Sequence, residues 1–146
     1  MFEEHDAVAH GKRLGDWTVQ KLGGEGSPWS DSGREGMRST AHVLAWDSPH
    51  RPKEDRGRRF TLSDCRVWMR LHFLACREAG LADHAEFFDF YVDVIQHFVG
   101  VYERSASPYA QESAAWSADP ANVQRYRDDG CKMVDVLGDA GAMAVP

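Results

Sequence analysis

The strongest pattern along the chain is a helical repeat of apolar positions between residues 60 and 104. Thr61 or Ser63 can cap a helix there, and Gly80 stops it. On that helix Arg66, Arg70 and Arg77 fall within about 40° of one another, a stripe expected to face solvent. The opposite arc carries Trp68, Leu71, His72, Ala75 and Cys76. After an Ala-Gly-Leu turn, a second helix is expected near Asp83–Arg104. Its apolar residues, from Phe87 to Tyr102, span roughly 200° of the circumference, more than a single core contact requires. Its narrow polar strip holds Glu86, Asp89, Asp93, His97 and Arg104.

Weaker signals flank this pair. Ser32-x-x-Glu35 reads as a capping box, so a helix is expected from Ser32 through Trp46, before Pro49. Met37, Ala41 and Leu44 share one face of it, and His42 and Trp46 lie on another. Ser107-Pro108 and Asp119-Pro120 each supply an N-cap and a first-turn proline. They predict two short helices, one ending near Trp116 and one before Gly130. Residues 1–30 read as an irregular segment with a short helix near Glu3–Arg13, broken by Gly15, by Gly23-Gly24-Glu25-Gly26 and by Pro28. Trp17 and Trp29 tie that segment to the body. Residues 31–137 form the domain, and the small-residue tail 138–146 is loose. No stretch alternates with period two over strand-forming residues, so the fold is all-α.

Composition sharpens this. A chain of 146 residues with 42% hydrophobic content fits one globular domain. Sixteen aromatic residues, five of them Trp, are a large supply of flat apolar surface. A formal net charge of −6 argues against a general nucleic-acid or anionic-membrane surface, so neither partner is expected. The opening MFEEHDAVAH has no long apolar run, so the expected location is cytoplasmic. Thirteen Arg against four Lys, with one Ile and one Asn, point to GC-rich codons and a bacterial source. Three cysteines without a C-x-x-C leave a cysteine zinc site without support. Cys65 and Cys76, about 16 Å apart along one helix, cannot bridge within it.

Several side chains carry candidate chemistry. His72, on an apolar arc, needs a hydrogen-bond partner or a ligand. Leaving its nitrogens buried and unsatisfied costs about 1–3 kcal/mol. It is either a core histidine bonded to a neighbouring helix, or a metal ligand, hydrogen-bond donor or general acid/base. Asp89, Asp93 and His97 recur at i, i+4 and i+8, as a bundle metal site would require. The same residues also make an ordinary solvated strip. In the loop 47–60, Arg51, Lys53, Arg56, Arg58 and Arg59 form either a solvated turn or an anion clamp. No G-x-S-x-G, activated cysteine or P-loop is present.

The order of these parts, a helix ending in HVLAW, a basic loop with His50, RFTLSDCRVWMRLHFLACREAGL and then DFYVDVIQHFVGVYE, resembles the second half of a truncated (2-on-2) haemoglobin of the group II branch, over about residues 33–104. The resemblance implies a globin-like arrangement and haem b as cofactor. Phe60 and Trp68 would be the aromatic residues at the entry and interior of the penultimate helix. His42 and Trp46 would lie near the distal side. That family places its iron-binding His three residues before the position of Phe60. Here that residue is Gly57, which moves the metal role to His50. Haem needs an aromatic cleft, an axial nitrogen and cations at its rim. Trp46, Trp68 and the Phe-rich Asp83–Arg104 helix would supply the first, His50 or His72 the second, and Arg51, Arg56, Arg58 or Arg59 the third.

Three functions follow. The first is a haem protein binding a small diatomic ligand such as O2 or NO, or supporting peroxide chemistry, with a distal hydrogen bond from His42 or Trp68 and with His42 and His72 as the candidate catalytic residues. The second is a haem-independent enzyme or binding protein that uses His72 in an aromatic pocket for a planar organic substrate. The third is an interaction module whose Asp83–Arg104 helix buries its wide apolar arc against a partner, a second copy being one candidate.

Overall fold

The computed structural model describes the backbone of residues 4–133 and the side chains of residues 8–133. Among them the chain forms seven α-helices and three short 3-10 turns, with no strand. The expected all-α class is what the structure has. The helices are α1 (Glu4–Lys21), α2 (Pro28–Asp31), α3 (Met37–Trp46), α4 (Leu62–Glu78), α5 (Ala85–Tyr102), α6 (Ala110–Ala118) and α7 (Pro120–Asp128). Packing divides them into two compact units, Met1–Arg58 and Arg59–Pro146. The expected 31–137 domain spans that boundary; its last four residues and the tail 138–146 lie outside the described ones.

In the first unit α1 runs on through Gly11 and Gly15, well past the short helix expected near Glu3–Arg13. One or two exposed glycines cost a helix about 1 kcal/mol each, which tertiary contacts offset. Here the tie is Gln20, whose Oε1 accepts from the Trp29 and Ser30 N–H groups, both at 3.0 Å, while its Nε2 donates to Ser30 Oγ at 2.7 Å. The helix expected from Ser32 starts instead at Met37. Gly33 and Gly36 both take φ of 71°, a left-handed turn that no helix contains, and Ser32 Oγ donates back to Trp29 O. The face carrying Met37 and Leu44 is exposed; the half-buried side is Arg38, His42 and Trp46, one turn apart in sequence.

The second unit holds the core. Thr61 caps α4 in a reciprocal box with Asp64, and Gly80, at φ 78°, ends the run as expected. Met69, Phe73 and Leu74 of α4 and Phe88, Tyr91, Val92, Ile95 and Val99 of α5 are buried. Phe73 and Phe88 meet edge to face at 5.8 Å between ring centroids. Full burial of a ring or a branched side chain contributes about 1.5–3 kcal/mol each. Asp119 caps α7 as its sequence predicts. Ser107 does not cap a helix; its Oγ donates to Gln96 O, and residues Arg104–Tyr109 make a 3-10 turn before α6.

The arginine stripe of α4 corrects the sequence expectation. Arg66 and Arg70 are 0% and 1% exposed. They are covered by the 3-10 turn Arg104–Tyr109 and by α6. That helix presents Ala110, Ser113, Ala114 and Ser117, all buried, at helical spacing. Side chains this small let two helices approach closely. Glu112 supplies the countercharge: Arg70 Nη2 lies 2.5 Å from its Oε1 and Arg66 Nη2 lies 3.5 Å from its Oε2. Arg66 also sits over the Tyr109 ring at 4.4 Å and Arg70 over Trp116 at 5.3 Å. Arg77 donates to Ser117 Oγ and Ala114 O and lies over Phe88. The buried arc of α4 is therefore turned toward these arginines, and Trp68 and Ala75 are left at the surface.

Candidate functional site

The second unit brings four rings into one row. Trp68 stacks on His72 at 4.6 Å between centroids, with planes 17° apart. His72 lies 5.6 Å from Tyr91, which stacks on Phe87 at 5.9 Å with planes 9° apart. The row thus crosses from α4 to α5. One hydrogen bond fixes its centre, His72 Nε2 to Tyr91 Oη at 2.8 Å. This is the core-histidine arrangement, with its partner on the neighbouring helix. Burial lowers the His72 pKa to about 4, so the imidazole is neutral at pH 7. A neutral ring suits stacking and hydrogen bonding. It is a weak general acid near neutrality, where a matched pKa is needed.

The two ends of the row reach solvent. Trp68 is 36% exposed and Phe87 38%. From Phe87 the exposed surface continues down α5 through Phe90 and Val101, 54% and 64% exposed, with half-buried Val94 and Phe98 between them. These five residues occupy positions i, i+3, i+7, i+11 and i+14, a single stripe on a helix. The wide apolar arc of α5 is therefore split. Phe88, Tyr91, Val92, Ile95 and Val99 face the core, and the stripe faces outward.

The remaining sequence candidates fall elsewhere. His42 and Trp46 belong to the first unit, with ring centroids 6.2 Å apart. His42 Nδ1 is 3.0 Å from Arg38 O, and burial lowers its pKa. Phe60 packs edge to face on Tyr102 at 5.8 Å. His50 is exposed, its N–H donating to Ser48 Oγ. The basic loop is stapled to itself. Arg51 donates to Trp46 O and Arg58 O, and Arg56 donates to Arg51 O and Pro49 O. Arg58 reaches Asp55 at 3.6 Å, and Arg59 is exposed. Two of the expected anion-clamping cations thus spend donors on backbone carbonyls. Asp89, Asp93 and His97 are all exposed, and no group of three His, Cys, Asp or Glu among the described residues could hold a metal ion.

One feature was missed in the sequence, the Arg66–Arg70–Glu112 cluster, although the small-residue spacing of Ala110, Ser113, Ala114 and Ser117 with an acid inside it was a signal. The excess width of the α5 arc is legible there, but not its division into a core side and an outward stripe. The site thus defines an all-α protein with an exposed aromatic face. Comparison with family models, curated proteins and solved structures returned no match.

Proposed function

We propose that this protein acts through association, as a homodimer joined by the outward stripe of α5. The observation that carries the reading is the split arc: a helix already supplied with a core face presents a second apolar face, rich in aromatic residues, to solvent. A second copy is the partner because the stripe complements itself. Its spacings of three, four, four and three residues are symmetric about Val94, which suits a twofold contact in which each copy offers the same patch. In the antiparallel pairing Phe87 meets Val101 of the twin and Phe90 meets Phe98. Antiparallel helices also oppose their dipoles favourably. Trp68, braced by His72 and Tyr91, extends the face with the ring type most enriched at binding hot spots.

Sedimentation equilibrium over a wide concentration range tests this. The wild-type chain should pass from monomer to dimer, and Phe90→Glu should weaken the dimer at least tenfold with its helical content unchanged. A wild-type monomer at high concentration excludes the reading.

A second reading is the haem protein that the globin resemblance implies, and His72 is the observation in its favour. A neutral imidazole is the form that ligates iron, but His72 Nε2 is engaged by Tyr91 Oη at 2.8 Å, so ligation would require that bond to break or Nδ1 to serve. His50, exposed in its loop, lacks the dry setting that an axial ligand needs, so His72 would hold the group. Bound haem would supply the affinity for a diatomic ligand. An absorption spectrum after haem supplementation should show a Soret band that His72→Ala abolishes. No band, or a band unmoved by that substitution, excludes this reading.

A further inference from the structure

The ring row of the second unit joins two oxidisable side chains through a base. Trp68, 36% exposed, stacks on His72 at 4.6 Å between centroids, and His72 lies 5.6 Å from Tyr91, which is 5% exposed. His72 Nε2 and Tyr91 Oη stand 2.8 Å apart. We propose that this row is a one-electron relay, in which small radical oxidants are reduced at Trp68 and the oxidising equivalent comes to rest on Tyr91, with His72 taking the phenol proton.

Indole and phenol are the ring side chains that give up a single electron most readily. A buried phenol does so only when its proton has somewhere to go, because a phenol radical cation is a strong acid. The 2.8 Å bond supplies that place. With the ring proton on Nδ1, His72 Nε2 accepts from Tyr91 Oη–H. Burial keeps the imidazole neutral at pH 7, its pKa lowered to about 4, so the nitrogen is open to a proton. An imidazolium of that acidity is still a far weaker acid than the radical cation, so the proton moves from oxygen to nitrogen.

Burial also gives the row a direction. Trp68 reaches water and meets the oxidant, whereas Tyr91 is enclosed. Tyr102, Tyr109 and Tyr126 are only half-buried, so an oxidant acting by collision attacks them before Tyr91. Phe87, stacked on Tyr91 at 5.9 Å, is not readily oxidised, and the row ends there. In the first step the radical gains an electron and Trp68 becomes a radical cation. In the second, an electron passes from Tyr91 to Trp68 while the Oη–H bond breaks and a proton joins His72 Nε2. The products are neutral Trp68, a Tyr91 phenoxyl radical and an imidazolium at His72. Where the indole N–H proton has first gone to water, one proton returns from water with the electron.

Flash photolysis of the dilute, haem-free full chain tests the relay, with photogenerated ruthenium(III) tris-bipyridine as the oxidant. The tryptophanyl absorption should decay as the tyrosyl absorption grows, at a rate independent of protein concentration. Tyr91→Phe should remove that growth, and Tyr126→Phe should leave it. Trp68→Phe, a surface change that should leave the helical circular dichroism intact, should also remove it. His72→Phe keeps a ring in the row but no base, and should slow the growth about a hundredfold and abolish its solvent deuterium effect. Growth that survives Tyr91→Phe or Trp68→Phe overturns the relay, as does its absence from the wild-type chain. A rate that His72→Phe does not move overturns the proton transfer. The relay lies within one chain, so its failure leaves the α5 dimer standing, and a monomeric chain can still pass the test.

Discussion

His72 shows how a single burial decides what a titratable residue can do. Its pKa is lowered from 6.5 in water to about 4 in the fold, so between those values the unfolded chain binds a proton that the folded chain does not. Stability is therefore full above about pH 6.5, falls as pH drops toward 4, and stops falling below that. The loss from this one group is about 3 kcal/mol. Denaturant melts between pH 7 and pH 4 should show it, and His72→Phe should remove most of that slope. An unchanged slope would place the acid sensitivity in other groups. Glu112 is the complementary case. It faces two arginines that are 0% and 1% exposed, and removing it leaves both guanidinium charges inside the protein. Glu112→Ala should cost about 3–5 kcal/mol by chemical denaturation. A cost under about 1 kcal/mol would mean the pair is solvated rather than buried.

At the scale of elements, α4 and α5 were legible and their orientation was not. The caps, the glycine stop and the apolar run fix where α4 begins and ends, because these are local chemistry. Which side of α4 is covered depends on α6, more than thirty residues away. Three arginines on one stripe read as solvated until an acid and a row of small side chains are laid across them. The same holds for α5. Its apolar arc was visible, but only packing shows that one side meets the core and the other meets water. The false start at Ser32 has a local cause: Gly33 and Gly36 both adopt left-handed turns, and the serine and glutamate spacing carries no information about them. Of the site, the His72–Trp68 neighbourhood follows from helical phasing alone. The Tyr91 bond that completes it joins two helices and does not.

For the molecule as a whole, the outcome is two helical units with different resources. The first buries no residue of α2 or α3 fully, but Gln20 ties Trp29 to α1 beside Trp17. The second has a packed core, a buried ion cluster and an outward aromatic stripe. The aromatic residues among the described ones thus divide among core, α1–α2 corner and surface, and the surface share is what carries the proposal of self-association. The cysteines permit a direct test. Cys65 and Cys76 are buried, with burial raising both thiols, Cys65 to about 11, whereas Cys131 is exposed. In a Cys131→Ser background, Val94→Cys puts one reactive thiol on the proposed twofold axis. Mild oxidation should then yield a disulfide-linked dimer on non-reducing gels, while a thiol placed at exposed Gln124 of α7 should not. A Val94→Cys chain that stays monomeric, or that cross-links no better than Gln124→Cys, would contradict the dimer.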